Sequence, residues 1–376
     1  MGLVGKYELH DELAQGGMAT VFVGRLVGGA GFTKCVAVKR VHDHLARDEE
    51  LVALMLEEAR LTQHIRHPNV VATLDVEAGE RELLLIMEYV HGQTLGELLK
   101  TSARVRARVP VEVAASIMHG VLLGLHAAHE TRDASGSPLS IIHRDVSPQN
   151  VMVGADGVAR ILDFGIAKAV DSVAHTRTGE LRGKVPYMAP EILRFEPASR
   201  QSDVWAAAVV LWETLCARRL FVGEGMTLWG KILTSELARP GDVLGEPTPL
   251  DAIVMRGLAR DRSERYATAA EMAAAIESAV PLAPAPAVAS WVMGLAGPSL
   301  AQREAILQAI ASRAPRAPTS WPSLVREEAA SLVASTSSER NIVPPEAPPR
   351  RSRAPWVVSA LLAVAVLVLL GWRLPR

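Results

Sequence analysis

The stretch "HRDVSPQN", residues 143–150, sets the reading of the whole chain. It packs a His, an Arg, an Asp and an Asn into eight positions, with a Ser at 147. Working outward, "DFG" begins at Asp163 and "APE" ends at Glu191. Upstream, "VAVK" closes a short β-branched run at Lys39. "LEEAR" then brings Glu57 and Glu58 into a stretch with helical apolar spacing through Leu51, Leu54, Met55 and Ala59. Only seven of the 40 basic residues are Lys, which makes the Lys at 39 less easily a product of chance.

As an ordered set, Lys39, Glu58, Asp145, Asn150, Asp163 and Glu191 resemble the catalytic apparatus of the bacterial eukaryotic-like (Hanks-type) serine/threonine protein kinases. The resemblance covers roughly residues 7–280 and implies an α+β, two-lobed fold. A β-rich N-lobe (about 7–90) precedes a helical C-lobe (about 91–280), matching strand patterns first and helical patterns later. ATP and Mg²⁺ are the implied cofactors. Asp145 is then the base for the substrate hydroxyl, Asn150 and Asp163 the metal ligands, and Lys39, steadied by Glu58, the phosphate-positioning cation. Glu57 competes with Glu58, which aligns better with the family's Glu-Ala pair. "LAQGGMATVFVGR" (13–25) resembles the loop over the ATP phosphates, bringing in Leu13, Gly16, Gly17 and Val21, although Ala14 and Ala19 stand where the family has glycines. "MEYV" (87–90) resembles the hinge, with Met87 as gatekeeper and the Glu88 and Val90 backbones facing adenine. Ala37 and Met152 complete the implied nucleotide contacts. Asp203 is expected to brace the catalytic loop, and Arg265 to pair with Glu191.

Two departures occupy one contact. Ser147 stands where the family has a catalytic-loop Lys, and Lys184 where it has a Thr. We expect Lys184 to place an ammonium near the transferring phosphoryl oxygens, with Ser147 as its hydrogen-bond partner; independent drift at both positions is the alternative. Ala14, Ala19 and Ser147 also admit a pseudokinase, a membrane-tethered ATP-binding scaffold, and a small-molecule kinase is a third reading. Pro148 and the lack of an "AARN" ending favour Ser/Thr acceptors on protein substrates. Arg144 resembles kinases ordered by activation-segment phosphorylation. Ser172, Thr176 and Thr178 are the candidate acceptors, the last two preferred, with kinase–kinase pairing as the route to autophosphorylation. "ETRDASGSPLSII" (130–142) has the turn formers of a surface insertion.

Composition agrees with a globular body: 49% hydrophobic, 22% charged, net charge −1, which argues against a general nucleic-acid binder. Cys35 and Cys216 are too few for a disulfide framework, and the N-terminus lacks an apolar leader. Beyond residue 280 the chain has ten Arg, no Lys and five acidic residues. Residues 281–353 read as a Pro/Ala-rich linker in which 299–313 and 323–333 carry helical spacing. "APWVVSALLAVAVLVLLGW" (354–372), flanked by Arg350, Arg351 and Arg353 and bounded by Trp356 and Trp372, has the ~20 apolar residues of a transmembrane helix. A buried core helix is the alternative. The expectation is a single-pass cell-membrane anchor with the kinase body cytoplasmic and a short tail at 373–376.

Overall fold

The computed structural model describes residues 3–28, 32–79, 82–164 and 185–313, all within one compact unit, Met1–Pro318. Lys184, Ser172, Thr176, Thr178, the 323–333 segment and the apolar 354–372 stretch lie outside the described residues.

The N-lobe is an antiparallel six-stranded sheet in the order β1-β2-β3-β4-β6-β5. Its strands are β1 (Leu3–Val4), β2 (Tyr7–Gln15), β3 (Ala19–Val27), β4 (Thr33–Val41), β5 (Thr73–Ala78) and β6 (Leu83–Glu88), with helix α1 (Glu49–Thr62) inserted after β4. Period-two alternation assigns the faces. Val36 and Val38 of β4 pack with Tyr7, Leu9, Leu84 and Ile86 on one side. Val41 and Leu85 pack against Leu51, Met55 and Ala59 of α1 on the other. Ala37 and Lys39 share the pleat face of Val41 and stay half-buried. The α1 N-terminus is capped by Asp48, whose side chain accepts from the Glu50 and Leu51 amides at 3.1 Å each.

The C-lobe holds a three-stranded sheet, β7 (Gly92–Thr94), β8 (Val151–Gly154) and β9 (Ala159–Ile161). Its helices are α2 (Leu95–Arg104), α3 (Val111–His129), α4 (Pro190–Leu193), α5 (Arg200–Cys216), α6 (Gly225–Thr234), α7 (Pro240–Leu244), α8 (Asp251–Gly257), α9 (Ala269–Ala279) and α10 (Ala285–Ser312). Helix α5 is apolar nearly all round and sits in the middle of the core, with Trp205, Leu211 and Trp212 buried. Helix α3 has the length and hydropathy of a membrane span among the described residues, yet its Met118, Leu122 and Leu125 are fully covered by protein, so it is a core helix. The turn-rich 130–142 segment folds as expected: the Asp133 carboxylate accepts from the Ser135 and Ser137 amides, and Arg132 bridges to Pro138.

The linker reading fails over 285–312, where one 28-residue helix replaces both the extended segment and the shorter 299–313 helix. Its prolines mislead. Pro286 falls in the first turn, where a missing N–H loses no intrahelical bond, and only Pro298 interrupts the ladder.

A small-residue seam on α3 joins the lobes. The 67–70 loop presses against it, with Asn69 Nδ2 donating to Ala159 O (2.7 Å) and Ile161 N donating to Asn69 O (2.8 Å). A Cβ at Gly124 would lie 2.6 Å from Asn69 O, a backbone atom that cannot swing away. Gly124→Ala is therefore expected to lower stability by about 1–3 kcal/mol. Gly230→Ala on α6, where no atom lies within 4 Å, should instead be neutral or gain up to ~1 kcal/mol. Urea denaturation of the two variants checks the contrast.

Candidate active site

One buried carboxylate holds the 143–150 loop in shape. Asp203, in the first turn of α5, accepts from the His143 amide (2.8 Å), the Arg144 amide (2.9 Å) and His129 Nε2 (2.8 Å). Arg144 needs this support, because at φ 64° it occupies the left-handed region, which costs a non-glycine residue about 1–3 kcal/mol. The His143 ring continues the scaffold. The Asp145 amide donates to its Nδ1 (3.2 Å), so Nε2 carries the proton and donates to Leu162 O (3.0 Å). Phe164, 4.7 Å from the His143 ring, is buried with Ile65, Val70, Ala128 and Ile141 at the joint between lobes.

On this scaffold the predicted polar residues converge. Asn150 Nδ2 donates to Asp145 O (2.8 Å) and to Asp145 Oδ2 (2.7 Å). The Leu162 amide donates to Asn150 O (2.9 Å), which sets Asp163 beside the same loop. Asp163, at φ 45°, turns its carboxylate toward β4, where Lys39 Nζ lies 3.0 Å from Oδ2. Ser147 is buried in an extended conformation, and its carbonyl accepts from the Asn150 amide (2.9 Å).

The expected Lys39–Glu58 pairing is corrected: Lys39 is ion-paired with Asp163 instead. A half-buried ammonium takes the carboxylate closest to hand, and the left-handed turn at Asp163 brings that one within reach. Glu58 lies half-buried on α1, whereas Glu57 is exposed and pairs with Arg60 at 3.8 Å.

The residues expected around a nucleotide frame a shared face. Strand register pairs Val21 with Lys39, and Ala37 with both Val23 and Met87. Val21, Ala37 and Met87 are all half-buried, as is Leu13 on β2. Below, Val151 and Val153 enter the C-lobe core, so Met152 faces the other way and is half-buried. The Glu88 amide is already used, donating to Ala72 O (3.0 Å), and Val90 follows at the connection into β7. Gly16 and Gly17 form the exposed β2–β3 turn, closed by Gly16 N donating to Ala19 O (2.9 Å).

The sequence reading missed His42, which fastens that turn. Its Nδ1 lies 3.1 Å from Gly17 O and its Nε2 3.2 Å from Thr20 Oγ1, so a neutral ring donating at Nδ1 and accepting at Nε2 satisfies both. No spacing marks it; only its position just past a strand end does.

Farther out, Glu191 and Arg265 meet as expected, through paired hydrogen bonds of 2.8 Å each, and Ser202 Oγ donates to Glu191 Oε1 (2.8 Å). Burial works to raise the Glu191 pKa, but the Arg265 guanidinium and Ser202 outweigh it and hold the carboxyl below its ordinary value.

The donor set fits a nucleotide-bound Mg²⁺ better than a protein-built metal centre. Among the described residues no cluster of three or more His, Cys, Asp or Glu side chains could enclose an ion. One carboxylate and one carboxamide oxygen suit an ion that keeps its remaining positions for water and phosphate.

Residues 7–265 match the family model described as protein kinase domain. Over 276 residues the chain is 37% identical to the tyrosine-protein kinase MasK of Myxococcus xanthus, covering 73% of this chain and 43% of that protein. It is 35% identical over 280 residues to a probable serine/threonine-protein kinase PknB of Bifidobacterium longum, covering 71% and 38%. It is 31% identical over 275 residues to the serine/threonine-protein kinase PknL of Mycobacterium tuberculosis, covering 73% and 65%. The chain thus spans about two fifths of the first two relatives. The solved kinase domain of M. tuberculosis PknI superposes with a TM-score of 0.57 at 21% identity, covering 74% of this chain and 98% of that one, which supports the fold.

Proposed function

This chain belongs to the protein kinase family, and from that premise we propose that it transfers the γ-phosphoryl group of ATP to serine and threonine hydroxyls of proteins. The observation that carries the reading is the convergence of Asp145, Asn150, Asp163 and Lys39 on one loop-and-strand junction. Asp145 takes the proton of the attacking alcohol. Asn150 and Asp163 would hold Mg²⁺, which when bound would supply charge neutralisation on the phosphate oxygens. Lys39 exchanges Asp163 for the α- and β-phosphates. The apolar surfaces of Leu13, Val21, Ala37 and Met152 sandwich the base, and the Glu88 and Val90 backbones read its edge. Transfer is driven by positioning and charge rather than by covalent chemistry.

Three further parts belong to the same proposal. Lys184 and Ser147 together replace the family's loop lysine. Thr176 and Thr178 receive phosphate from a second copy of the chain. The 354–372 stretch anchors a cytoplasmic catalytic body to the cell membrane.

The acceptor class is the sharpest question, because the Myxococcus relative is named a tyrosine kinase and the Bifidobacterium and Mycobacterium relatives serine/threonine kinases. Full-length chain incubated with labelled ATP, Mg²⁺ and a generic acceptor protein is expected to yield phosphoserine and phosphothreonine on acid hydrolysis. Label confined to phosphotyrosine overturns the acceptor assignment; no label above an Asp163→Ala control leaves the scaffold reading standing.

A further inference from the structure

Helix α10 begins after the family match ends at residue 265, yet it is built into both lobes. Its start is seated on the C-lobe. The Ala283 amide donates to Glu112 O (3.2 Å), and Ser116 Oγ donates to Ala283 O (2.9 Å). Gly157, at φ 79°, leaves room for Ala285 O, which a Cβ there would approach to 1.9 Å. Val288, Val292, Ala296 and Leu300, each four residues apart, then bury one stripe in the C-lobe core. Beyond Pro298 the helix reaches the strand that follows the hinge, where Arg303 Nη1 donates to Gly92 O (2.6 Å) and Nη2 to Gln93 Oε1 (3.4 Å).

Its end lies on the N-lobe. Arg25 of β3 donates through Nη1 to Ile310 O (2.7 Å) and Arg313 O (2.6 Å), carbonyls at the helix C-terminus. Through Nε and Nη2 it also holds Glu8 Oε2, its cross-strand neighbour on β2, at 2.8 and 2.5 Å. Arg25 is 4% and Glu8 5% exposed. A buried ion pair is tolerated only when its remaining hydrogen-bonding groups are satisfied, and here the carbonyls of α10 do that. The exchange is mutual, since the last carbonyls of a helix lack i+4 partners, Ile310 O accepting otherwise from the Arg313 amide at 3.3 Å, and the negative end of the helix dipole favours a cation. The N-lobe sheet is therefore completed by a helix that the C-lobe carries.

We propose that α10 is a clasp across the back of the hinge that fixes how far the lobes open, with Arg303 and Arg25 as positioning residues for nucleotide binding. This rests on the kinase reading above. The helix spans about 40 Å at 1.5 Å per residue. The segments on either side of Pro298 are both pinned, Val288, Val292 and Ala296 in the C-lobe core and Arg303 on the strand after the hinge, so a change at either end is felt at the other. Coupling is reciprocal: a clasp that favours nucleotide is itself tightened by nucleotide, and by the same factor.

The test uses full-length chain, with steady-state kinetics, AMP-PNP binding and hydrogen–deuterium exchange. Arg303→Ala removes the hinge contact without stranding the buried Arg25–Glu8 pair. It is expected to raise KM for ATP and the Kd for AMP-PNP by about fivefold or more, with kcat within twofold and faster exchange at residues 87–94. Arg303→Lys, which can still donate to Gly92 O, should recover most of the loss. In the unaltered chain AMP-PNP should slow exchange over residues 303–313. Unchanged KM in Arg303→Ala, equal loss in kcat and kcat/KM without a KM change, or no nucleotide protection of 303–313 overturns the clasp while leaving the kinase reading intact. Failure of the unaltered chain to bind AMP-PNP overturns both.

Discussion

Asp145→Asn should leave the protein folded, still able to bind ATP, and catalytically dead, with turnover down roughly 10³-fold, within the 10²–10⁴ that a positioned general base contributes. The substitution keeps size and an acceptor oxygen, so the Asn150 amide retains a partner where it now bonds Asp145 Oδ2 at 2.7 Å. The loop backbone is fixed by other groups, namely Asp203 on the His143 and Arg144 amides and the His143 ring on Leu162 O. What disappears is the carboxylate proposed to take the alcohol proton. Because Asp145 does not grip the nucleotide, KM for ATP should move less than twofold, separating this variant from Asp163→Ala, in which nucleotide affinity in Mg²⁺ should fall as well. Single-turnover rates with saturating ATP measure the chemical step directly. Turnover retained above a tenth of the unaltered level would mean that Asp145 positions the acceptor without taking its proton.

The contrast between what the sequence disclosed and what it hid has a physical basis. Asp145, Asn150, Asp163, Glu191 and Arg265 were legible because their chemistry is tied to fixed positions; the structure joins Glu191 to Arg265 as expected and gathers the first three around one loop. The strands and long helices of the body were legible from apolar periodicity, as in Val36 and Val38 against Val41 on β4. Helix α10 was not, because Pro284 and Pro286 at its start and Pro298 within it read as the punctuation of a linker. The four-residue spacing of Val288, Val292, Ala296 and Leu300 was a truer signal than the prolines, since two of the three sit where a helix start accommodates them. The partner of Lys39 was hidden for a different reason. Two carboxylates, Glu58 and Asp163, compete for one ammonium, and backbone conformation at Asp163 settles the competition without any trace in residue identity. His42 and Arg303 act through backbone carbonyls, which every residue has, so nothing in the partner's identity announces them.

The largest stability effect is expected at the Glu191–Arg265 pair. Both residues are 2% exposed, and the guanidinium also donates to Ala259 O (2.7 Å) and Gln201 O (2.9 Å) while lying 5.1 Å over the Trp205 ring. Arg265→Met fills the space but strands a buried carboxylate with Ser202 as its remaining side-chain donor, which should cost about 3–5 kcal/mol. For a body of this size that lowers Tm by on the order of 10 °C. The double variant Arg265→Met with Glu191→Gln removes the charge as well and should recover part of the loss. The pH dependence carries the sign. In the unaltered protein the folded Glu191 pKa is depressed, so its contribution is complete above the unfolded glutamate pKa and drains away as pH falls through the folded value. Without Arg265, burial outweighs the remaining Ser202 hydrogen bond and the carboxyl pKa rises, so the single variant loses stability as pH climbs. The gap in Tm between the two proteins should therefore widen from about pH 4 to pH 7, near the ordinary carboxylate range and above it. A gap that stays constant over that range would show that Arg265 supports the "APE" segment by packing on Trp205 rather than by holding the charge of Glu191.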